Sequence, residues 1–201
     1  IREIANGGPG GYHDNFIEVA NWGDEPVDVT GWELFRCTGA GSVASAPQNT
    51  LEGTIGAGER WLFARESDQS TIADADVKQR YSTSLANESY GALLRDSSGE
   101  DVDAVAVQFP GTANQACGEG TVLANTTDSA AGESFQRTQD TDDNAADFIR
   151  APRTPGAENA TEPSAAPKRG DVLISEVAHT GADGEGLIEI ANFGDQEVDV
   201  T

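Results

Sequence analysis

The densest group of side chains that could bind a metal ion lies between residues 140 and 147. Asp140, Asp142, Asp143 and Asn144 offer oxygen ligands at neighbouring positions, and Asp147 follows them. Ca²⁺ is held by about six to eight oxygen atoms, so this cluster is a candidate calcium site. The D-T-D-D-N spacing lacks the glycine and the distant glutamate of an EF-hand loop. The alternative therefore stays open that these side chains accept hydrogen bonds from the backbone of turns.

The sequence offers little for catalysis. Its two histidines are His13, in a Gly-rich stretch, and His179, at a position that Asn6 holds in the first copy of an internal repeat. Neither lies in a recognisable Ser-His-Asp or Cys-His arrangement, and the sequence contains no glycine-rich phosphate loop and no H-E-x-x-H motif. We therefore predict no catalytic residue, a chain that is not an enzyme, and no cofactor other than the candidate Ca²⁺.

Cys37 and Cys117 are the only cysteines. Such a pair in a long acidic chain of β pattern favours one disulfide in an oxidising compartment, with two unpaired buried thiols as the alternative. In the chain-entropy model, closing a loop of this size contributes about 4 kcal/mol to stability. The pair is thus a sign of an extracellular or cell-surface location.

Three tryptophans could form an aromatic contact surface. Trp22 lies in a turn, so it is the candidate for an exposed contact, whereas Trp32 and Trp61 lie in strand patterns and are expected to pack in the core. Glu18 recurs as Glu189 in the internal repeat. A polar residue on the wet face of a strand is expected to face water, and its recurrence indicates a shared requirement of the fold.

Charge excludes several classes of partner. The chain has 35 acidic and 12 basic residues, for a net charge of −23. Such a surface repels phosphate backbones and anionic lipids, so we expect no nucleic-acid partner. No run of about 18 apolar residues occurs, so we expect no membrane insertion. The acidity is compatible with a high-salt environment, with a calcium-rich exterior or simply with solubility.

The elements that must position these residues are short strands. Residues 16–34 read as strand, turn, strand, turn, strand, with apolar residues alternating with polar ones. Residues 90–94 and 101–109 flank a Gly-containing turn and predict a hairpin. Residues 66–81 are polar and predict at most one short helical turn, and residues 110–129 predict irregular structure. No long segment has a helical period, which favours an all-β sandwich or barrel.

The first strand pattern returns near the end of the chain. Residues 187–201 match residues 16–30 without a gap, and residues 174–178 match residues 1–5. A period of 171 to 173 residues fits a whole domain better than a solenoid repeat. The sequence therefore predicts a complete domain over residues 1–159, a Pro- and Ala-rich linker over residues 160–170 and the first strands of a second copy over residues 171–201.

The second copy carries apolar residues that a lone strand pair cannot bury. These candidate assembly residues are Ile174, Val177, Leu187, Ile188, Ile190, Val198 and Val200. Two interpretations stay open. The chain belongs to a longer tandem array, or the tail adds its strands to the sheet of a neighbouring molecule and links subunits head to tail.

The order of these motifs resembles the lamin tail domain, in the type found in secreted prokaryotic proteins. The resembling stretches are IREIAN, FIEVANWGDEPVDVTGWEL, GAGERWLF, YGALLRDSSGEDVDAV and SFQR…DTDDNAADF…TPGAEN, which together span nearly all of residues 1–159. The resemblance implies an immunoglobulin-like β-sandwich with a binding or structural role and no catalytic residue.

These observations predict a non-catalytic, extracellular structural or adhesive module of a tandem-repeat surface protein or fibre. Its expected partners are neighbouring repeats or other copies of itself. The alternative is an accessory binding domain of a secreted hydrolase or nuclease, with the catalytic domain outside this chain.

Overall fold

A computed structural model describes residues 1–112, 117–125 and 132–159, and also the backbone of residues 172–179 and 186–192. The chain divides into two compact units, Ile1–Thr161 and Glu162–Thr201. Within the described residues, no helix is long and apolar enough to cross a membrane.

The first unit is built from short strands. In chain order they are β1 (Glu3–Ala5), β2 (Phe16–Ala20), β3 (Val27–Asp28), β4 (Glu33–Cys37), β5 (Asn49–Thr50), β6 (Thr54–Ile55), β7 (Arg60–Arg65), β8 (Val77–Tyr81), β9 (Tyr90–Arg95), β10 (Asp101–Gln108), β11 (Leu123–Ala124), β12 (Glu133–Arg137) and β13 (Phe148–Pro152). In the part of this unit that the structure describes, helical structure is limited to the single-turn helix α1 (Asn144–Asp147) and to 3-10 turns at Tyr12–Asp14 and Asp74–Asp76.

Two mostly antiparallel sheets form the sandwich. One sheet has the strand order β13-β12-β1-β2-β7-β8, the other has the order β11-β10-β9-β4-β5, and β3 pairs with β6. The predicted hairpin is present as β9 and β10. The prediction of an all-β, immunoglobulin-like sandwich is therefore confirmed.

The main core lies between the sheets and follows from the alternation in the sequence. Ile4 and Ile17 are directly opposite each other in β1 and β2, and both contribute to this core. Leu34, Leu94 and Val105 contribute from the other sheet. A side chain at every second position of a strand points to the same face. The residues next to them in sequence therefore lie on the outer faces of the two sheets, where the carboxylates and the disulfide described below are found.

Two edge strands were not expected from the sequence. The polar segment 66–81 contains the expected helical turn, but it also contains β8, which pairs in parallel with β7. Similarly, β11 in the stretch expected to be irregular pairs in parallel with β10. Arg80 fastens β8 by donating from its guanidinium to the carbonyl oxygens of Arg65 (2.9 Å) and Ile72 (3.0 Å). Such anchoring by a long side chain leaves no periodic signal in the sequence.

The second unit contains the antiparallel strands β14 (Val172–His179) and β15 (Gly186–Asn192). Of the candidate assembly residues, Ile174, Val177, Leu187, Ile188 and Ile190 lie on these strands, whereas Val198 and Val200 lie outside the described residues. The linker at 160–170 also lies outside them, so the proposed domain boundaries stay predictions.

Candidate functional site

Two buried carboxylates lie side by side on the outer face of the six-stranded sheet. Glu3 of β1 and Glu18 of β2 are directly opposite each other, and both side chains are 0% exposed. The expectation that Glu18 faces water is therefore wrong. Burial of a carboxylate is unfavourable unless the group is paired and hydrogen-bonded, so each of these side chains requires donors.

Residues 154–159, which we call the C-terminal clasp, supply most of these donors. The backbone N–H of Thr154 donates to Glu3 Oε1 and its hydroxyl donates to Glu3 Oε2, both at 2.8 Å. The backbone N–H of Gly156 donates to Glu18 Oε2 at 2.9 Å. The Ser134 hydroxyl on β12 completes the set by donating to Glu3 Oε1 at 2.6 Å. The carboxylate pair thus fastens the clasp across three strands of the sheet.

A buried arginine supplies a positive charge to the pair. Arg2 Nη1 donates to Glu18 Oε1 and also to the carbonyl oxygen of Ala157 in the clasp, the latter at 2.8 Å. Asn159, the last residue of the clasp, donates from Nδ2 to the carbonyl oxygens of Arg2 and Arg137, both at 3.4 Å. The T-P-G-A-E-N motif of the sequence is therefore explained by its contacts with β1 and β2.

The pKa of Glu18 is raised to about 7. The main cause is burial, which disfavours the charged form, and the charge of Glu3 acts in the same direction. The charge of Arg2 and the N–H of Gly156 oppose this shift without cancelling it. Glu18 consequently gains or loses a proton near neutral pH.

Paired carboxylates can carry out acid–base catalysis only where a substrate reaches them. Glu3 and Glu18 are covered by the clasp, and their oxygen atoms accept hydrogen bonds from the protein itself. The pair therefore serves to hold one segment of the chain against another.

A second buried ionic group surrounds Arg137 of β12. Its guanidinium donates from Nη2 to Asp103 Oδ1 at 2.6 Å and from Nη1 to Asp140, and it lies 3.6 Å from Asp147 Oδ2. Arg137 Nη2 is also 3.4 Å from Glu119 Oε2. This one arginine compensates several carboxylates, including Asp140 of the candidate calcium cluster.

The candidate calcium residues are divided between two roles. Asp143 caps α1 by accepting from the N–H groups of Ala145 (3.1 Å) and Ala146 (3.4 Å). Buried Asn144 accepts at Oδ1 from Ala106 N and Glu119 N, which links α1 to β10. Both side chains therefore behave as the backbone-bonding alternative describes.

The remaining candidates, Asp140 and Asp142, converge with Glu119, which the sequence did not single out. One carboxylate oxygen from each of the three lies within 4.8 Å of the others. Exposed acidic groups of this kind are common in the absence of a metal ion, and Arg137 already balances part of their charge. A calcium site here stays a prediction.

Cys37 and Cys117 are joined by a disulfide in the structure, with Cα atoms 6.1 Å apart. Both are buried on the outer face of the five-stranded sheet, in an apolar cluster with Phe35 and Leu93. Gly91, opposite Cys37 in β9, makes room for the bond, because a Cβ there would lie 2.9 Å from Cys37 Sγ and 2.3 Å from the carbonyl oxygen of Val105.

The tryptophans lie at different depths. The side chain of Trp22, in the turn after β2, is 46% exposed, whereas Trp61 is buried in the main core and Trp32 packs against that core while partly exposed. An exposed aromatic ring at a turn is compatible with the predicted contact, which stays a prediction.

Ser67 and His13 are in contact, and the geometry of this pair does not favour nucleophilic catalysis. Ser67 Oγ is 2.8 Å from His13 Nδ1, but Arg65 Nη1 lies 3.1 Å from the same ring nitrogen. A guanidinium can only donate, so Arg65 competes with the Ser67 hydroxyl for the one acceptor site of this ring nitrogen. The guanidinium carbon of Arg65 also lies over the Tyr12 ring, 4.7 Å from the ring centre. The contacts of Arg65 with Tyr12 and His13 therefore hold this loop against β7.

Sequence reasoning missed the residues that organise both ionic groups. Arg2, Arg137 and Glu119 lie in strands or loops where a charged residue normally faces solvent. The recurrence of glutamate in both copies was the one available signal for the carboxylate pair. This recurrence indicates a requirement of the fold, but it does not show that the position is buried.

Comparison with known proteins supports the same conclusion as the architecture. The model of the lamin tail domain family matches residues 1–108, which form more than half of the chain. No curated protein matches the chain at a significant level. The family consists of non-enzymatic, immunoglobulin-like domains, in agreement with the sandwich and with carboxylates engaged in packing. This chain belongs to the lamin tail domain family.

Proposed function

We propose that this chain is a structural or adhesive part of an extracellular protein that contains lamin tail domains in tandem. Membership of the lamin tail domain family supports a non-catalytic, immunoglobulin-like module. Three further features concern this chain in particular: the repeated strand pair, the disulfide and the charge.

The observation that carries the proposal is the register of β14 and β15. Glu176 lies opposite Glu189, as Glu3 lies opposite Glu18. The next two pairs correspond in the same way: Val177 with Ile188 corresponds to Ile4 with Ile17, and Ala178 with Leu187 corresponds to Ala5 with Phe16. A repeat in sequence that also repeats the pairing of its strands supports a second lamin tail copy.

The proposed extracellular location is supported by Cys37 and Cys117, because disulfides persist in oxidising compartments. The net charge of −23 keeps neighbouring molecules apart through repulsion that salt screens. Assembly through the second unit is therefore expected to depend on ionic strength.

For assembly we propose strand addition, in which β14 and β15 join a sheet of a neighbouring lamin tail copy. The test is light scattering on size-exclusion fractions of residues 1–201 beside residues 1–159, at low and at high salt. We expect 1–159 to be monomeric and 1–201 to form larger species, with more of them at high salt. Two monomeric proteins at both salt concentrations would refute strand addition between molecules.

A further inference from the structure

Three asparagines of the chain begin the short sequence that accepts N-linked glycans. They are Asn87 in N-E-S, Asn125 in N-T-T and Asn159 in N-A-T. Asn-x-Ser/Thr is modified on surface loops of secreted proteins, but it also occurs by chance, so the surroundings of each asparagine decide whether a glycan fits. All three asparagines lie in the part of the first unit that the structure describes.

Two of the three use their side-chain amides inside the fold. Asn125 is 3% exposed, and its Nδ2 donates to the carbonyl oxygen of Glu88 at 3.0 Å. Asn159 is 6% exposed and, as the last residue of the clasp, donates to the carbonyl oxygens of Arg2 and Arg137. An N-linked glycan is bulky and is attached at this same nitrogen. A sugar at either position would displace the bonded carbonyl groups, so these two sites are incompatible with the folded domain.

Asn87 lies in the loop between β8 and β9 and has the opposite arrangement. Its side chain is exposed, and no hydrogen bond between described residues engages its amide. Its backbone is held from the inside instead. Nδ2 of buried Asn6 donates to the carbonyl oxygens of Ala86 and Asn87, at 3.2 and 2.5 Å. The next carbonyl, that of Glu88, accepts from Asn125. The loop is thus fixed at its backbone while the amide of Asn87 stays in solvent, where a glycan has room.

The hydroxyl of Ser89 shows when a glycan has to be added. Ser89 is 1% exposed; its Oγ lies 2.6 Å from Thr112 Oγ1 and accepts from the backbone N–H of Phe109 at 2.9 Å. The acceptor sequence requires a hydroxyl residue at this position. Because the hydroxyl is enclosed in the folded protein, the sugar is transferred before this part of the domain closes. The exposed position of Asn87 then allows the modified chain to fold.

We propose that Asn87 is an N-glycosylation site, and that it is the one of the three acceptor sequences whose glycan the folded domain retains. The donor is an oligosaccharide linked through pyrophosphate to a lipid. A bond forms between Asn87 Nδ2 and the anomeric carbon of the first sugar, and the bond from this carbon to the phosphate oxygen breaks. The amide proton is released together with the lipid pyrophosphate. This inference rests on the proposed extracellular function, since such a transfer takes place on chains that leave the cytoplasm.

Peptide mapping of the protein from its native organism tests this site. Trypsin cleaves after Lys and Arg, so the three acceptor sequences fall in separate peptides, residues 81–95, 96–137 and 154–168. After reduction of the disulfide, mass spectrometry is expected to find peptide 81–95 heavier by the sum of several sugar residues, with fragment ions that place them on Asn87. Peptides 96–137 and 154–168 are expected without a glycan on Asn125 or Asn159.

Two variants distinguish enzymatic transfer from other modification of Asn87. Ser89→Ala keeps the asparagine but removes the hydroxyl of the acceptor sequence, so it is expected to lose the sugar from peptide 81–95. The matched control Glu88→Gln changes an exposed residue, retains the acceptor sequence and is expected to keep the sugar. Peptides are collected from cells and medium together, so that a variant that folds poorly is still measured.

An unmodified peptide 81–95 in the wild-type protein overturns the proposal, as does sugar that persists in Ser89→Ala. Sugar on Asn125 or Asn159 in secreted protein with an intact disulfide would overturn the selection by burial. These failures differ from failure of the proposed function. If the secreted protein is unmodified, the extracellular location stands and the glycan does not. Unmodified protein that is found only inside the cell refutes both.

Discussion

The outer faces of the two sheets are covered in different ways. On the six-stranded sheet, Glu3 and Glu18 hold the C-terminal clasp by hydrogen bonds and one ion pair. On the five-stranded sheet, the disulfide between Cys37 and Cys117 holds the segment that follows β10 against an apolar cluster. Both arrangements join distant parts of the chain, with sequence separations of 151 residues for Glu3 and Thr154 and 80 for the cysteines.

The stability of these two attachments depends on different conditions. A disulfide acts largely on the unfolded chain, and it responds to redox conditions. The carboxylate pair acts on the folded state, because its contribution to stability depends on every hydrogen-bond donor being in place and on the protonation state of Glu18. Deprotonation of Glu18 and reduction of the disulfide should therefore loosen different faces of the same sandwich.

The largest effect is expected from Glu3→Ala. Truncation removes the acceptor of the N–H and hydroxyl of half-buried Thr154 and of the buried Ser134 hydroxyl, at a cost of about 3–5 kcal/mol in the free energy of unfolding. Urea denaturation measures this loss. Exposed Glu52→Ala is the control, with an expected change of about 0.5 kcal/mol or less. Similar values for the two variants would mean that the pair does not fasten the clasp.

Removal of the disulfide by Cys37→Ser/Cys117→Ser is expected to lower the free energy of unfolding by about 4 kcal/mol, according to the chain-entropy model. The informative measurement is hydrogen exchange of single amides. We expect faster exchange in β4 and β10, while the N–H groups of Thr154 and Gly156 stay as protected as the loss of global stability permits. Preferential opening at the clasp would contradict the separation of the two faces.

The pH dependence follows from Glu18, whose pKa rises from 4.5 to about 7 on folding because of burial. Between these values the folded protein binds a proton that the unfolded chain has released. The free energy of unfolding therefore falls as pH rises from about 4.5 to about 7, by about 3 kcal/mol for such a shift.

Glu18→Gln carries no titrating proton and is expected to flatten this slope, even if it lowers stability overall by leaving Arg2 without its charged partner. Urea denaturation at several pH values gives the slope, with Glu52→Gln as the control. The pKa values of Asp14 and Asp147 lie below the usual range. Burial opposes this shift, but hydrogen bonds from Thr71 and Thr141 outweigh it. These two carboxyl groups therefore change stability only below the pH range in which Glu18 titrates. An unchanged slope in Glu18→Gln would assign the pH dependence to another group.

The sequence predicts what depends on periodicity and misses what depends on long-range pairing. Alternation in β2, β9 and β10 predicted the sandwich because a face buried at every second residue leaves a local pattern. β8 and the burial of Glu3 and Glu18 left no such pattern. They depend on Arg80 and on a clasp more than 130 residues away. The internal repeat was the one non-local signal available, since it showed that glutamate is required twice at the same place.

Two glycines distinguish backbone strain from close approach of neighbouring atoms in the clasp. Gly156 has φ +76°, and a Cβ there would lie 3.0 Å from Asp76 Cβ. Gly99, in the turn between β9 and β10, has φ +92° and no heavy atom within 4 Å of a Cβ. Both Gly→Ala substitutions pay for a left-handed backbone, roughly 1–2 kcal/mol.

Only Gly156→Ala also pushes the clasp away from the 3-10 turn at Asp74–Asp76, so it should cost about 1 kcal/mol more. It should also speed hydrogen exchange at its own N–H, the donor to Glu18. Thermal or urea denaturation of both variants gives the difference directly. If the two variants are equally destabilised and the exchange at residue 156 is unchanged, the clasp tolerates displacement. The carboxylate pair would then be a weaker fastening than the disulfide on the opposite face.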